Sequence, residues 1–143
     1  MKKILYLFAC IVSLNIISAQ NGNSQWVNFT TNNIIHFKNP VGIAGRSQVL
    51  YTGREYKVLA PKYWFFKKYK EDHDKEFYIE KFTKEVLGEL DAKTVFEELG
   101  EDATLLCWEK PGYFCHRHLV AEWLMRELNI EVLEYVMKSS DFK

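Results

Sequence analysis

The last third of the chain reads as strand, helix, strand, and that order constrains the fold more than any other feature. Residues 103–108, Ala-Thr-Leu-Leu-Cys-Trp, form a short apolar run with the signature of a buried strand. Residues 116–129 carry Leu119, Val120, Trp123, Leu124 and Leu128 at helical spacing. Residues 130–135 return as a strand. Two strands joined through a helix run parallel, with a right-handed crossover. The expected fold class is therefore α/β, a small and mostly parallel sheet flanked by helices, with this strand-helix-strand unit at its carboxyl end.

Upstream, residues 26–30 and 40–45 read as two short strands, the second closed by glycines. Proline is tolerated in a first helical turn, so Pro61 opens a helix expected to reach about Tyr69. Asp72 or Asp74 caps a second helix, in which Tyr78, Phe82, Val86 and Leu90 recur every fourth residue as one apolar stripe. Asp91 caps a third, residues 92–99, closed by Gly100. No repeat, low-complexity stretch or linker divides the chain.

The amino terminus has a separate character. Met1-Lys2-Lys3, an apolar run from Ile4 to Ile17 and a small residue, Ala19, before polar chain describe a secretory signal peptide. The expected organisation is a signal peptide over residues 1–19, cut after Ala19, and a single α/β domain over 20–143. That places the protein outside the cytoplasm, periplasmic or extracellular. The alternative is a cytoplasmic protein whose segment Ile4-Leu5-Tyr6-Leu7-Phe8 is a buried first strand of a parallel sheet. Membrane contact is expected only through an uncleaved amino terminus or one lipidated at Cys10. From Gln20 onward the chain holds 17 basic residues (19 less Lys2 and Lys3) against 19 acidic ones. Such a balance argues against non-specific nucleic-acid binding, which depends on clustered Lys and Arg. Oligomeric state leaves no mark on the sequence.

Chemistry-bearing residues gather in one loop, Cys107-Trp108-Glu109-Lys110-Pro111-Gly112-Tyr113-Phe114-Cys115-His116-Arg117. It lies beyond the carboxyl end of a predicted parallel strand, where α/β sheets bind their ligands. Cys115 falls where this loop becomes a helix, and free backbone N–H groups and the helix dipole favour an anion there, a thiolate included. In the functional reading Cys115 is the nucleophile or redox centre, His116 the proton donor or acceptor, Arg117 an anion clamp and Glu109 a paired carboxylate. Cys107, Lys110 and Tyr113 are candidate ligand contacts. In the structural reading Cys107 is a small core residue, the two cysteines bridge the loop as a disulfide, and Arg117 pairs with Glu109 or Glu122. No metal is expected, because Cys107, Cys115, His116 and His118 match none of the paired zinc spacings. No cofactor is expected either: the chain carries no phosphate-binding loop, Gly-x-Gly-x-x-Gly turn, Cys-x-x-Cys pair or nucleophile elbow.

Leu105-Leu106-Cys107-Trp108-Glu109-Lys110, followed by Cys115-His116-Arg117-His118-Leu119-Val120-Ala121, resembles the carboxyl-terminal signature of domain of unknown function family 488. The similarity runs back through Glu85-Val86-Leu87, Leu59-Ala60-Pro61-Lys62-Tyr63 and Tyr51-Thr52-Gly53, covering roughly residues 41–137. It implies a compact α/β domain, generally intracellular, with no assigned reaction. Members usually begin with a strand bearing a Thr-Ser-like pair near the initiator. Here the nearest candidate is Phe29-Thr30-Thr31, preceded by the signal-like segment.

Three functions follow as expectations. The first is a cysteine-dependent enzyme, or a binder of an anionic small molecule or nucleotide-like group, at the Cys-His-Arg loop. The second is a non-catalytic interaction domain with the Cys107/Cys115 loop as scaffold, in which Tyr63, Trp64, Phe65 and Phe66 contact a partner. The third is a nucleic-acid-associated protein using Lys67-Lys68-Tyr69-Lys70, whose field Glu71, Asp72 and Asp74 largely cancel.

Overall fold

The computed structural model describes residues 4–9, 39–46, 51, 53–100, 102–109 and 113–135. Among these residues five strands form one sheet: β1 (Ile4–Ala9), β2 (Asn39–Gly42), β3 (Arg54–Glu55), β4 (Ala103–Cys107) and β5 (Glu131–Tyr135). Their order is β3-β2-β4-β1-β5, and every pairing is parallel. Four helices accompany them: α1 (Tyr63–Asp72), α2 (Lys75–Glu85), α3 (Ala92–Leu99) and α4 (His116–Leu128). The chain is an α/β protein with a small parallel sheet and a carboxyl-terminal strand-helix-strand unit.

That unit holds one surprise. β4 and β5 are not neighbours, because β1 lies between them, Tyr6 opposite both Thr104 and Leu133. The parallel-strand alternative for residues 4–8 is thus the conformation found here. The expected strand at 26–30 and the cut after Ala19 lie outside the described residues.

Every residue of β4 is buried, Thr104 among apolar neighbours included, as in a strand covered on both faces. α4 packs on β1, β4 and β5 and also touches α2 and α3. Between sheet and helices, Val41, Ile43, Leu59, Phe65, Phe82, Leu99, Leu105, Val120 and Leu124 are fully enclosed. The run at 63–66 splits by helical periodicity: Tyr63 and Trp64 are exposed, Phe65 is buried and Phe66 half-buried. Phe65 meets Tyr78 and Phe82 edge-on, and Tyr78 stacks on Phe82.

The helix ends follow their local chemistry. α1 continues beyond Tyr69 to Asp72, which pairs with Lys68 one turn earlier, and stops at His73 in the left-handed region, φ 57°. Asp74, not Asp72, caps α2, its Oδ1 accepting from Phe77 N–H at 3.0 Å. The apolar stripe of α2 outlasts the helix: at Val86 the backbone leaves it for a short 3-10 turn, Leu87–Glu89. Asp91 caps α3 by accepting from Thr94 N–H at 2.8 Å, and Gly100, φ 84°, ends it. Arg54 then caps the far end, Nη1 donating to the Leu99 carbonyl at 2.7 Å and Nη2 to that of Glu98.

Candidate active site

The site assembles where β2 and β4 end and α4 begins. Cys107 is the last residue of β4; Cys115, in extended conformation, is the N-cap of α4; His116 is its first residue. Their side chains converge although eight residues separate the cysteines. The two Sγ atoms are 2.9 Å apart as free thiols. Both cysteines are only 4 % exposed and His116 only 6 %.

The imidazole is oriented by the neighbouring strand. His116 Nε2 lies 3.0 Å from the carbonyl oxygen of Ile43, just past β2. A carbonyl only accepts, so Nε2 carries the hydrogen, and Nδ1 faces the sulfurs, 3.6 Å from Cys107 and 3.8 Å from Cys115. Phe82 packs against the ring with centroids 5.4 Å apart, and Tyr78, Tyr69 and Phe114 extend the aromatic wall.

This geometry separates the two thiols. Burial alone would push Cys115 up. Hydrogen bonds from Cys107 and His116, the His116 charge and the Arg117 backbone N–H at the helix start outweigh it and hold Cys115 well below the ordinary thiol value. Cys107 moves the opposite way: its hydrogen bond to Cys115 keeps the proton on it, and burial and the Cys115 charge add to that. The pair therefore titrates as one unit, Cys115 giving up the first proton and Cys107 becoming the donor between them. Burial, followed by the charge of the two cysteines, also pushes the nearby Tyr78 phenol up, so it stays neutral.

Arg117 has a different task. Its side chain is 0 % exposed; Nη1 donates to the Glu109 carbonyl at 2.9 Å and Nη2 to Glu134 Oε1 at 2.8 Å. The same Glu134 oxygen accepts from His118 Nε2 at 3.0 Å. Burial raises the Glu134 carboxyl, but the hydrogen bonds and charges of Arg117 and His118 reverse that and leave it below its ordinary value. Glu109 thus meets Arg117 through its backbone, while its carboxylate lies 3.7 Å from Lys70 Nζ. Glu122 is exposed. Tyr113 is 63 % exposed, and Lys110 lies outside the described residues. Trp108 Nε1 donates to the Arg46 carbonyl at 2.6 Å, tying together the loops that follow β2 and β4.

Two partners carry no mark in the sequence. No side-chain signal distinguishes the Ile43 carbonyl, and Glu134 is one of two glutamates on a short strand, set apart only by what it faces. Spacing also conceals a donor set: Cys107, Cys115 and His116 offer ligand atoms within 4.8 Å of one another. Two thiolates and an imidazole suit zinc or copper(I). His118 is not part of that set, being turned to Glu134.

Residues 24–128 match the family model DUF488-N3a, described as the active DUF488-N3 subclade. The match opens past β1 and spans the whole loop from Cys107 to Arg117, and it closes before Glu134. No curated protein and no solved structure matches the chain.

Proposed function

We propose, from the premise that this chain belongs to the DUF488 family, that it is a cysteine-dependent enzyme with Cys115 as nucleophile and His116 as its proton partner. One observation carries the reading. Because His116 Nε2–H is committed to Ile43, Nδ1 is held toward Cys115 Sγ at 3.8 Å. Once Cys115 ionises, both hydrogens of the imidazolium already face acceptors, so the ion pair forms with little reorganisation. The family description, an active subclade, is consistent with a chemical role.

The substrate approaches beyond the carboxyl ends of β2 and β4. With each cysteine 4 % exposed, the group that reaches Cys115 is slender, or it displaces the side chains that cover the sulfur. An anionic ligand would find little positive charge inside the trio. The helix terminus and His116 already serve the thiolate, and Arg117 serves Glu134. Anionic character in the substrate is therefore a secondary feature of this reading. The test is the pH dependence of iodoacetamide alkylation, mapped by mass spectrometry. Cys115 should label as a thiolate well below the ordinary thiol value; a midpoint at that value would remove the reading.

One observation favours a scaffolding reading for part of the same segment. The buried Arg117 joins loop, helix and edge strand whether or not chemistry occurs beside it. The nucleic-acid reading receives no such support, since Lys67, Lys68 and Lys70 each lie beside a carboxylate.

A further inference from the structure

We infer that Cys107 and Cys115 form a dithiol couple that reduces organic disulfides, with Cys107 resolving the mixed disulfide formed on Cys115. This rests on the reading of Cys115 as nucleophile, and it names both the substrate class and a second reacting group. The sulfurs come from separate elements, a strand end and a helix N-cap, yet lie 2.9 Å apart as free thiols. A disulfide needs about 2.05 Å, so bond formation asks for a movement of less than about 1 Å. His116 Nδ1 stands nearly equidistant from the two sulfurs, at 3.6 and 3.8 Å, and can serve each in turn. The two cysteines are equally buried, and what divides the roles is position: Cys115 caps a helix at the loop, whereas Cys107 ends a strand of the sheet with Cys115 as its neighbour.

The steps balance. The Cys115 thiolate attacks one sulfur of R–S–S–R; the Cys115–S bond forms, the S–S bond breaks, and RS⁻ leaves with the proton from Nδ1 of the imidazolium. Cys115 Sγ, now in a disulfide, no longer shares a hydrogen with Cys107, whose sulfur stands 2.9 Å from it and 3.6 Å from His116 Nδ1. Cys107 passes that proton to neutral Nδ1 and attacks Cys115 Sγ. The Cys107–Cys115 bond forms, and the second RS⁻ leaves with the proton. The protein dithiol has lost two electrons and R–S–S–R has become two RSH. An external dithiol returns the couple to its reduced form.

The test uses the reduced full-length protein with a metal chelator and one equivalent of 5,5′-dithiobis(2-nitrobenzoate). Released thiolate is followed by colour and the product by peptide mapping, which separates the pair from Cys10. The expected result is two thiolates released per protein, a Cys107–Cys115 disulfide and no retained adduct. Cys107→Ser should release one thiolate and retain the adduct on Cys115. If the wild-type protein retains the adduct on Cys115, the nucleophile reading stands and this inference falls. If Cys115 does not react, both fall. A Cys107→Ser protein that still releases two thiolates overturns the resolving role.

Discussion

Arg117 donates across 2.8 Å to Glu134 from a side chain that solvent does not reach. This contact fastens the first turn of α4 to the edge strand β5, and the second donor of Arg117 holds the loop at Glu109. The position of Cys115 two residues earlier is thereby fixed from two sides.

Arg117→Ala should destabilise the fold by about 3 kcal/mol, through a cavity and an orphaned Glu109 carbonyl. Glu134→Gln should cost less, about 1 kcal/mol, since that carboxylate is a third exposed and screened. Urea denaturation of both variants measures the difference, and equal losses would contradict the burial argument.

The same pair sets an acid limit. Glu134 has a folded pKa below its ordinary value of 4.5, so the unfolded chain binds the proton more readily. The stability it contributes is fully present above about 4.5 and is lost as pH falls through the lower folded value. Melting temperature recorded against pH should fall through this acid window, and Glu134→Gln should flatten that part of the curve.

His116→Ala should slow alkylation of Cys115 at neutral pH by roughly an order of magnitude, since the thiolate loses its hydrogen bond and its neighbouring charge. Rates at high pH, where the thiol ionises without help, should converge with those of the wild-type protein. The Ile43 carbonyl loses its donor in the same variant, at a cost of about 1–3 kcal/mol. Circular dichroism at the assay temperature verifies that the fold is retained.

Phe65→Ala should cost about 3–5 kcal/mol, because Phe65 is fully buried and meets Trp64, Tyr78 and Phe82 edge-on. Tyr63→Ala, on the same helix but exposed, should change stability by less than about 0.5 kcal/mol. Thermal melts of the two variants test whether helical periodicity, rather than the aromatic run as a whole, decides which rings are core.

The carboxyl-terminal third of the fold is legible in the amino-acid sequence. β4, α4 and β5 are readable because a buried parallel strand is continuously apolar and a packed helix repeats every three to four residues. Cys115 at the start of α4 follows directly from those boundaries. The position of Cys107 follows too, but not its partner: a small residue in an apolar strand looks like core, and here it is core and in contact with Cys115. Pairing across the sheet is what the sequence hides. β1 is a six-residue apolar run that serves equally as a leader or a strand, and only its ladders to β4 and β5 distinguish the two. Glu134 and the Ile43 carbonyl are hidden for the same reason, since each acquires its role from a residue distant in the chain.

The place of β1 sets residues 4–9 against the expected leader, because the strand occupies the segment that cleavage would remove. A peptidase acting after Ala19 would carry off the strand that bonds β4 on one side and β5 on the other. Leader removal and this ladder thus draw on the same backbone amides, and amide exchange along β5 records which has claimed them. Protection at alternate residues of 131–135, those whose N–H groups face β1, accompanies a retained β1. Rapid exchange there, with β4 still protected by β2, is the mark of a processed chain that has had to find its sheet another way.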